Sequence, residues 1–338
     1  MPQVLILTEA GPTWGSGHLI RCTALGMAFS EIGWDSKLRV QPEISAPGLP
    51  LEHLAAPWHN LASAWQSELE QSALVVLDSY RAPQSTIDAI IARAKNFSAI
   101  DDFPHRDYPH GTIIDGSLNA EHDAYPARRG AVNYLLGSRF ACLRPAFRGG
   151  CIHRPTAIER LLVSFGSGDI RALTTPALES IFSTLPLVRV DILTGDAAAA
   201  RQLARKHEGL QAIFHPPLDA LSVQQLMLDC DLAVCGGGQT LYELAACGVP
   251  AVAIELIENQ HQDLINFAAA GFIDFAGHWQ DDDLWLKLGH ALATLQRSPT
   301  TLAQRAATGQ SLVDGQGAGR VARFLANSTT HPAAPRHF

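Results

Sequence analysis

The feature that most constrains this chain is one alternation run through twice: six short apolar segments separated by amphipathic stretches, then six more. Segments 4–8, 37–40, 74–78, 98–101, 112–115 and 134–136 are predicted strands, followed by 161–165, 188–193, 212–214, 232–235, 251–254 and 272–275. Segments 18–32, 83–95, 176–185, 197–208, 218–230, 240–247 and 260–270 read as helices between them. Strands this short and apolar on both faces belong in parallel sheets wrapped by helices. Twelve strands are too many for one core, and 338 residues suit two domains of roughly 100–200 residues each. The stretch 137–155 holds Pro145, Gly149, Gly150 and Pro155 with no clear period, which marks the expected boundary. The reading is α/β: two Rossmann-like domains facing across a cleft, 1–150 and 151–326, with 327–338 as a frayed tail.

Composition narrows the partners. Lys plus Arg number 25 against 33 Asp plus Glu, a formal charge of −8 that lacks the basic footprint of a nucleic-acid or anionic-membrane binder. Any phosphate must therefore be met locally, by backbone N–H groups and one or two side chains. No window approaches 18 apolar residues, so no membrane span is expected. Met1-Pro2-Gln3 runs straight into the first strand without a basic leader. The six cysteines show neither C-x-x-C nor zinc spacing, so a reduced cytoplasmic chain with buried thiols is expected.

In open α/β sheets ligands meet the carboxyl ends of strands, so the strand-to-helix turns carry the chemistry. The first turn ends Gly15-Ser16-Gly17-His18, with Arg21, expected as a further substrate contact, one helical turn on. Gly15 and Gly17 let the backbone approach a ligand, and a helix start favours a neutral imidazole able to take a proton. Ile20 occupies the third position of a dinucleotide fingerprint, and no acid ends the second strand, which disfavours an NAD enzyme. Gly236-Gly237-Gly238-Gln239-Thr240 opens a later helix as a nest for phosphate, with Glu243 placed for ribose hydroxyls. It is not a P-loop, for it has no Gly-Lys-Ser/Thr. Asn259 and Gln260 end the next strand turn with amides suited to sugar hydroxyls or acyl groups, and 164–169 forms a small-residue turn expected at the nucleotide. Tyr80, after Asp78-Ser79, is expected to donate to a substrate oxygen, and Asp101 or Asp102 to orient His18. Asp281-Asp282-Asp283 reads as the acidic opening of a surface helix rather than a metal site, and His53, His59 and His278 as surface or core positions.

These motifs resemble those of the UDP-sugar hydrolases of pseudaminic acid biosynthesis, and beyond them the MurG-like nucleotide-sugar enzymes of GT-B fold. The likeness rests on Gly15-Ser16-Gly17-His18 with Arg21, Asp78-Ser79-Tyr80, Ile100-Asp101-Asp102, Leu136-Gly137-Ser138-Arg139-Phe140 and Leu143-Arg144-Pro145-Ala146-Phe147. It continues through 164–169, 236–243 and Glu258-Asn259-Gln260, in the expected order. The resemblance implies hydrolysis at the anomeric carbon of a UDP-linked 2,4-diacetamido-2,4,6-trideoxyhexose, releasing UDP, with no cofactor or metal. It implies His18 as the catalytic residue, Tyr80 and Asn259 at the sugar, 236–240 on the diphosphate and Glu243 on the ribose. The sequence departs from the family pattern in its first turn, where Ala10-Gly11-Pro12-Thr13-Trp14 intervenes, and in Asp78-Ser79-Tyr80 where Asp-His-Tyr is usual. Two alternatives stand beside this reading: a glycosyltransferase on the same scaffold, and a non-catalytic nucleotide-sugar binder.

Overall fold

A computed structural model describes residues 1–11, 15–42, 58–59, 66–102, 106, 108–120, 132–149, 155–166, 169, 171–194, 197–207 and 209–330. The chain divides into two compact units, Met1–Pro145 with Gly315–Phe338, and Ala146–Asp314. The first unit runs β1 (Gln3–Ala10), α1 (Gly17–Glu31), β2 (Asp35–Pro42), α2 (Gln66–Gln71), β3 (Leu74–Asp78), α3 (Gln84–Arg93), β4 (Phe97–Ile100), β5 (Gly111–Asp115) and β6 (Val132–Leu136). Its strands form one parallel sheet in the order β2-β1-β3-β4-β5-β6. Alternation along β1 sends Val4 and Ile6 to one face and Leu5 and Leu7 to the other, and all four are fully buried. The first pair packs with Leu25 and Phe29 of α1, the second with Ile87 and Ile90 of α3.

The second unit continues with β7 (Arg160–Ser164), α4 (Thr174–Thr184), β8 (Arg189–Leu193), α5 (Ala197–Lys206), β9 (Ala212–His215), α6 (Ala220–Leu228) and β10 (Leu232–Gly236). After these come α7 (Gln239–Cys247), β11 (Ala251–Glu255), α8 (His261–Ala269), β12 (Ile273–His278), α9 (Leu284–Gln296) and α10 (Pro299–Leu312). Its sheet is also parallel, in the order β12-β11-β10-β7-β8-β9. Read backwards, that is the doubly wound order in which the sequence of strand addition reverses between the first and fourth strands, here β7 and β10. In the first sheet the reversal falls between β1 and β3. These two switch points locate the candidate sites.

The chain ends with α11 (Gly317–Thr330), which belongs to the first unit. Ala318, Val321, Ala322 and Leu325 follow an i, i+3, i+4, i+7 stripe and share a core with Leu25 and Phe29. A side chain at Gly317 would strike the Ala141 carbonyl oxygen, so only glycine lets the helix begin there. The expected assignment of residues through 326 to the second domain is thereby corrected. So is the frayed tail: 327–330 are the last turn of α11, while 331–338 lie outside the described residues. Cys22, Cys142, Cys230, Cys235 and Cys247 are buried free thiols, and Cys151 lies outside the described residues. Among the described residues no helix is long and apolar enough to cross a membrane.

Candidate active site

β1 and β3 run side by side, so the residues that end them, Glu9-Ala10 and Asp78, meet at the switch point of the first sheet. The chain leaves β1 through Gly15, whose φ of +74° is costly for any residue with a side chain, and enters α1 at Gly17. His18 and Arg21 are three apart on α1 and share a face. Both converge on the fully buried carboxylate of Asp78. Its Oδ1 lies 2.6 Å from His18 Nδ1, and Arg21 donates through Nε to Oδ2 at 2.7 Å and through a terminal nitrogen to Oδ1 at 2.6 Å. Arg21 also donates to both oxygens of Asp102, and the Tyr80 hydroxyl donates to Asp102 Oδ1. The Tyr80 ring stands edge-on to the His18 ring, centroids 4.5 Å apart.

This network assigns the imidazole tautomer. An Arg21 nitrogen lies 3.2 Å from His18 Nδ1, but the carboxylate oxygen is far closer, so Nδ1 carries the proton and donates to Asp78. Nε2 is then the basic nitrogen. Burial alone would raise the Asp78 carboxyl, yet the Arg21 charge, the His18 charge and their hydrogen bonds hold it well below the usual carboxylate range. Asp102 is likewise lowered, its burial outweighed by Arg21. Burial and the neighbouring Asp102 push the Tyr80 phenol upward, so it stays protonated.

Three expectations about these residues change. The carboxylate on His18 is Asp78, whereas Asp101 and Asp102 were the expected orienters; Asp101 follows β4, one strand further from β1. Arg21, expected on the substrate, instead directs its guanidinium at Asp78 and Asp102. Tyr80, expected to donate to a substrate oxygen, donates to Asp102. The missed residue, Asp78, ends an apolar strand as Asp101 does, and only the sheet order tells them apart.

In the second unit, β10 runs into Gly236-Gly237-Gly238 at the carboxyl end of its sheet. A Cβ on Gly236 would lie 2.6 Å from Leu256 Cδ1, and one on Gly237 2.7 Å from Leu264 Cγ, so Leu256, just after β11, and Leu264 of α8 crowd the turn. Gly238 is the N-cap of α7 and brings no side chain to its first turn. Half-buried Gln239 and Thr240 open that helix, and Glu243 is buried one turn on. The Gln260 amide oxygen, expected at a sugar, accepts from Leu256 N–H at 3.0 Å and Gly237 N–H at 3.3 Å, so this side chain braces the glycine turn. Asn259 is exposed beside it in a 3-10 turn, Glu258–Gln260. Of the 164–169 turn, Ser167 and Gly168 lie outside the described residues, and Asp169 accepts from Leu173 and Thr174 N–H at the start of α4. Asp283 is the N-cap of α9 and pairs with Lys287, while Asp281 accepts from His278 N–H. His53 lies outside the described residues.

No family model matches the chain. Over 262 residues, 76% of its length, it is 24% identical to a Helicobacter pylori protein named pseudaminic acid cytidylyltransferase and UDP-2,4-diacetamido-2,4,6-trideoxy-beta-L-altropyranose hydrolase. The chain spans less than half of that relative, 45% of its length. Among solved structures it is similar to S. aureus MnaA, determined with UDP, at a TM-score of 0.65 and 11% identity over 100% of both chains. It is also similar to Acinetobacter baumannii MurG, at 0.61 and 14% identity over 96% of this chain and 100% of that one. These likenesses show the fold, the two Rossmann-like units of the GT-B class.

Proposed function

We propose that this chain hydrolyses the anomeric C–O bond of a UDP-linked amino or deoxy sugar, releasing UDP and the free sugar. The observation that carries the reading is the His18–Asp78 pair at the first switch point, 2.6 Å between Nδ1 and carboxylate, which leaves Nε2 to act as a base. The Helicobacter pylori relative's name supports the substrate class, a UDP-linked 2,4-diacetamido-2,4,6-trideoxyhexose in pseudaminic acid biosynthesis.

In this mechanism His18 Nε2 takes a proton from water as the water oxygen bonds to C1 and the C1–O bond to the β-phosphate breaks. UDP leaves as an anion, and a single displacement inverts the anomeric centre. Proton removal by a positioned imidazole contributes about 10²–10⁴-fold. Asp78 holds the ring in the required tautomer and stabilises the imidazolium that forms. The diphosphate is assigned to the glycine turn, Gly236 to Thr240, where the first N–H groups of α7 and its dipole meet negative charge. Glu243 is assigned to the ribose and Asn259 to the sugar; Gly15 and Gly17 keep the backbone beside His18 open to substrate.

The test is incubation with a panel of UDP- and other nucleotide sugars, products read by NMR from the first minutes. UDP and an inverted free sugar, formed with no acceptor present, are expected. UDP release only after a hydroxyl acceptor is added would make the chain a glycosyltransferase, and binding without product would make it a binding protein.

A further inference from the structure

Glu9 lies near the end of β1 and is 1% exposed, yet the proton transfer proposed above makes no use of it. A carboxylate buried this deeply needs donors, and the turn after β3 supplies them. Ser79 Oγ donates to Oε2 at 2.5 Å, and Tyr80 N–H donates to Oε1 at 3.1 Å. His59 Nε2 stands 3.6 Å from Oε2 and is buried with no hydrogen-bond partner among the described residues. That ring is fixed from several sides. Trp58 packs edge-on against it, centroids 4.4 Å apart, and donates from Nε1 to Thr8 O at 2.7 Å. The His59 N–H donates to Gln41 of β2, and Thr86 of α3 donates to the His59 carbonyl. Burial would raise the Glu9 carboxyl, but His59, Ser79, the His18 charge and the Tyr80 N–H hold it below its ordinary value.

Tyr80 is therefore gripped at both ends. Its hydroxyl meets Asp102 and its N–H meets Glu9, while Arg106 bonds the carbonyls of Ser79 and Tyr80. Its ring, held between, forms the wall against His18. We infer that Glu9, steadied by His59, is a positioning residue of this site that holds Tyr80 against the catalytic imidazole. This rests on the hydrolysis proposed above. The charged or titratable groups that face Glu9 are His59 and His18; those that face His18 are Asp78, Arg21, Asp102, Tyr80 and Glu9.

Glu9→Gln keeps the shape and an acceptor for the Tyr80 N–H but removes the charge; Glu9→Ala removes both. A displaced base is costly, so kcat for UDP release is expected to fall about tenfold in Glu9→Gln and about a hundredfold in Glu9→Ala. KM and UDP affinity should stay within about twofold, because Glu9 belongs to the first unit and the glycine turn assigned to the nucleotide belongs to the second. Should Glu9→Ala fail to fold, Glu9→Gln and His59→Phe decide, the latter expected to lower kcat severalfold at constant KM. Wild-type kcat in Glu9→Gln would overturn the inference. A wild type that releases no UDP from any nucleotide sugar sinks the hydrolysis reading instead. The tether is then read from the His18 ring resonances by NMR, which should move in Glu9→Gln and whose constancy would overturn it.

Discussion

Burial sorts four carboxylates at the carboxyl end of the first sheet into two kinds. Glu9, Asp78 and Asp102 meet cations and donors that outweigh desolvation, and all three are held below their ordinary values. Asp101 is 4% exposed, and burial, then the charges of Asp102 and Asp115, push it from 3.8 up to about 7 against the pull of Arg106 and Arg21. The folded state therefore favours its protonated form. The stability this contributes is complete below the unfolded value near 3.8 and is lost as pH rises through about 7. Asp101→Asn should remove that slope, so the variant gains on wild type between pH 4 and pH 8 by an amount on the order of a few kcal/mol. Urea midpoints across that range check it; parallel curves for the two proteins would show that Asp101 does not titrate there. The place of His18 in the first turn of a helix was legible in the sequence, because a glycine-rich turn followed by a helix states its own geometry. Asp78 was not, because Asp78 and Asp101 both end apolar strands and nothing local says which strand lies beside β1.

The elements were easier to read than their neighbours. Each of the twelve predicted apolar segments overlaps a strand, since period and β-branched content are local properties. α9 and α10 were not among the predicted segments, although Asp283 does stand at the start of α9 as the acidic run suggested. The stripe on α11 is visible in sequence, but the face it covers belongs to a sheet built some two hundred residues earlier, which no local pattern encodes. The glycine turn gives the prediction at this scale. A methyl on Gly237 meets the branched end of Leu264 in the core of α8, whereas one on Gly238 finds only Gln260 Nε2 at 3.5 Å. Gly237→Ala should cost about 1–3 kcal/mol by overpacking and weaken UDP binding, while Gly238→Ala leaves stability near wild type. Thermal melting and calorimetry read both, and equal melting points would contradict the packing described for this turn.

At the scale of the whole molecule, the proposed hydrolysis assigns the nucleotide to α7 of the second unit and the activation of water to His18 of the first. The GT-B fold was legible from the doubled alternation of strands and helices, but the return of the chain's last helix to the first unit was not. The division predicts that chemistry and binding come apart on mutation. The most direct measurement is UDP release from the best nucleotide sugar by His18→Ala, set beside its affinity for UDP. If His18 is the base, turnover falls about 10²–10⁴-fold with UDP affinity within about twofold of wild type. Turnover within a few-fold of wild type, with UDP still bound, would contradict His18 as the base.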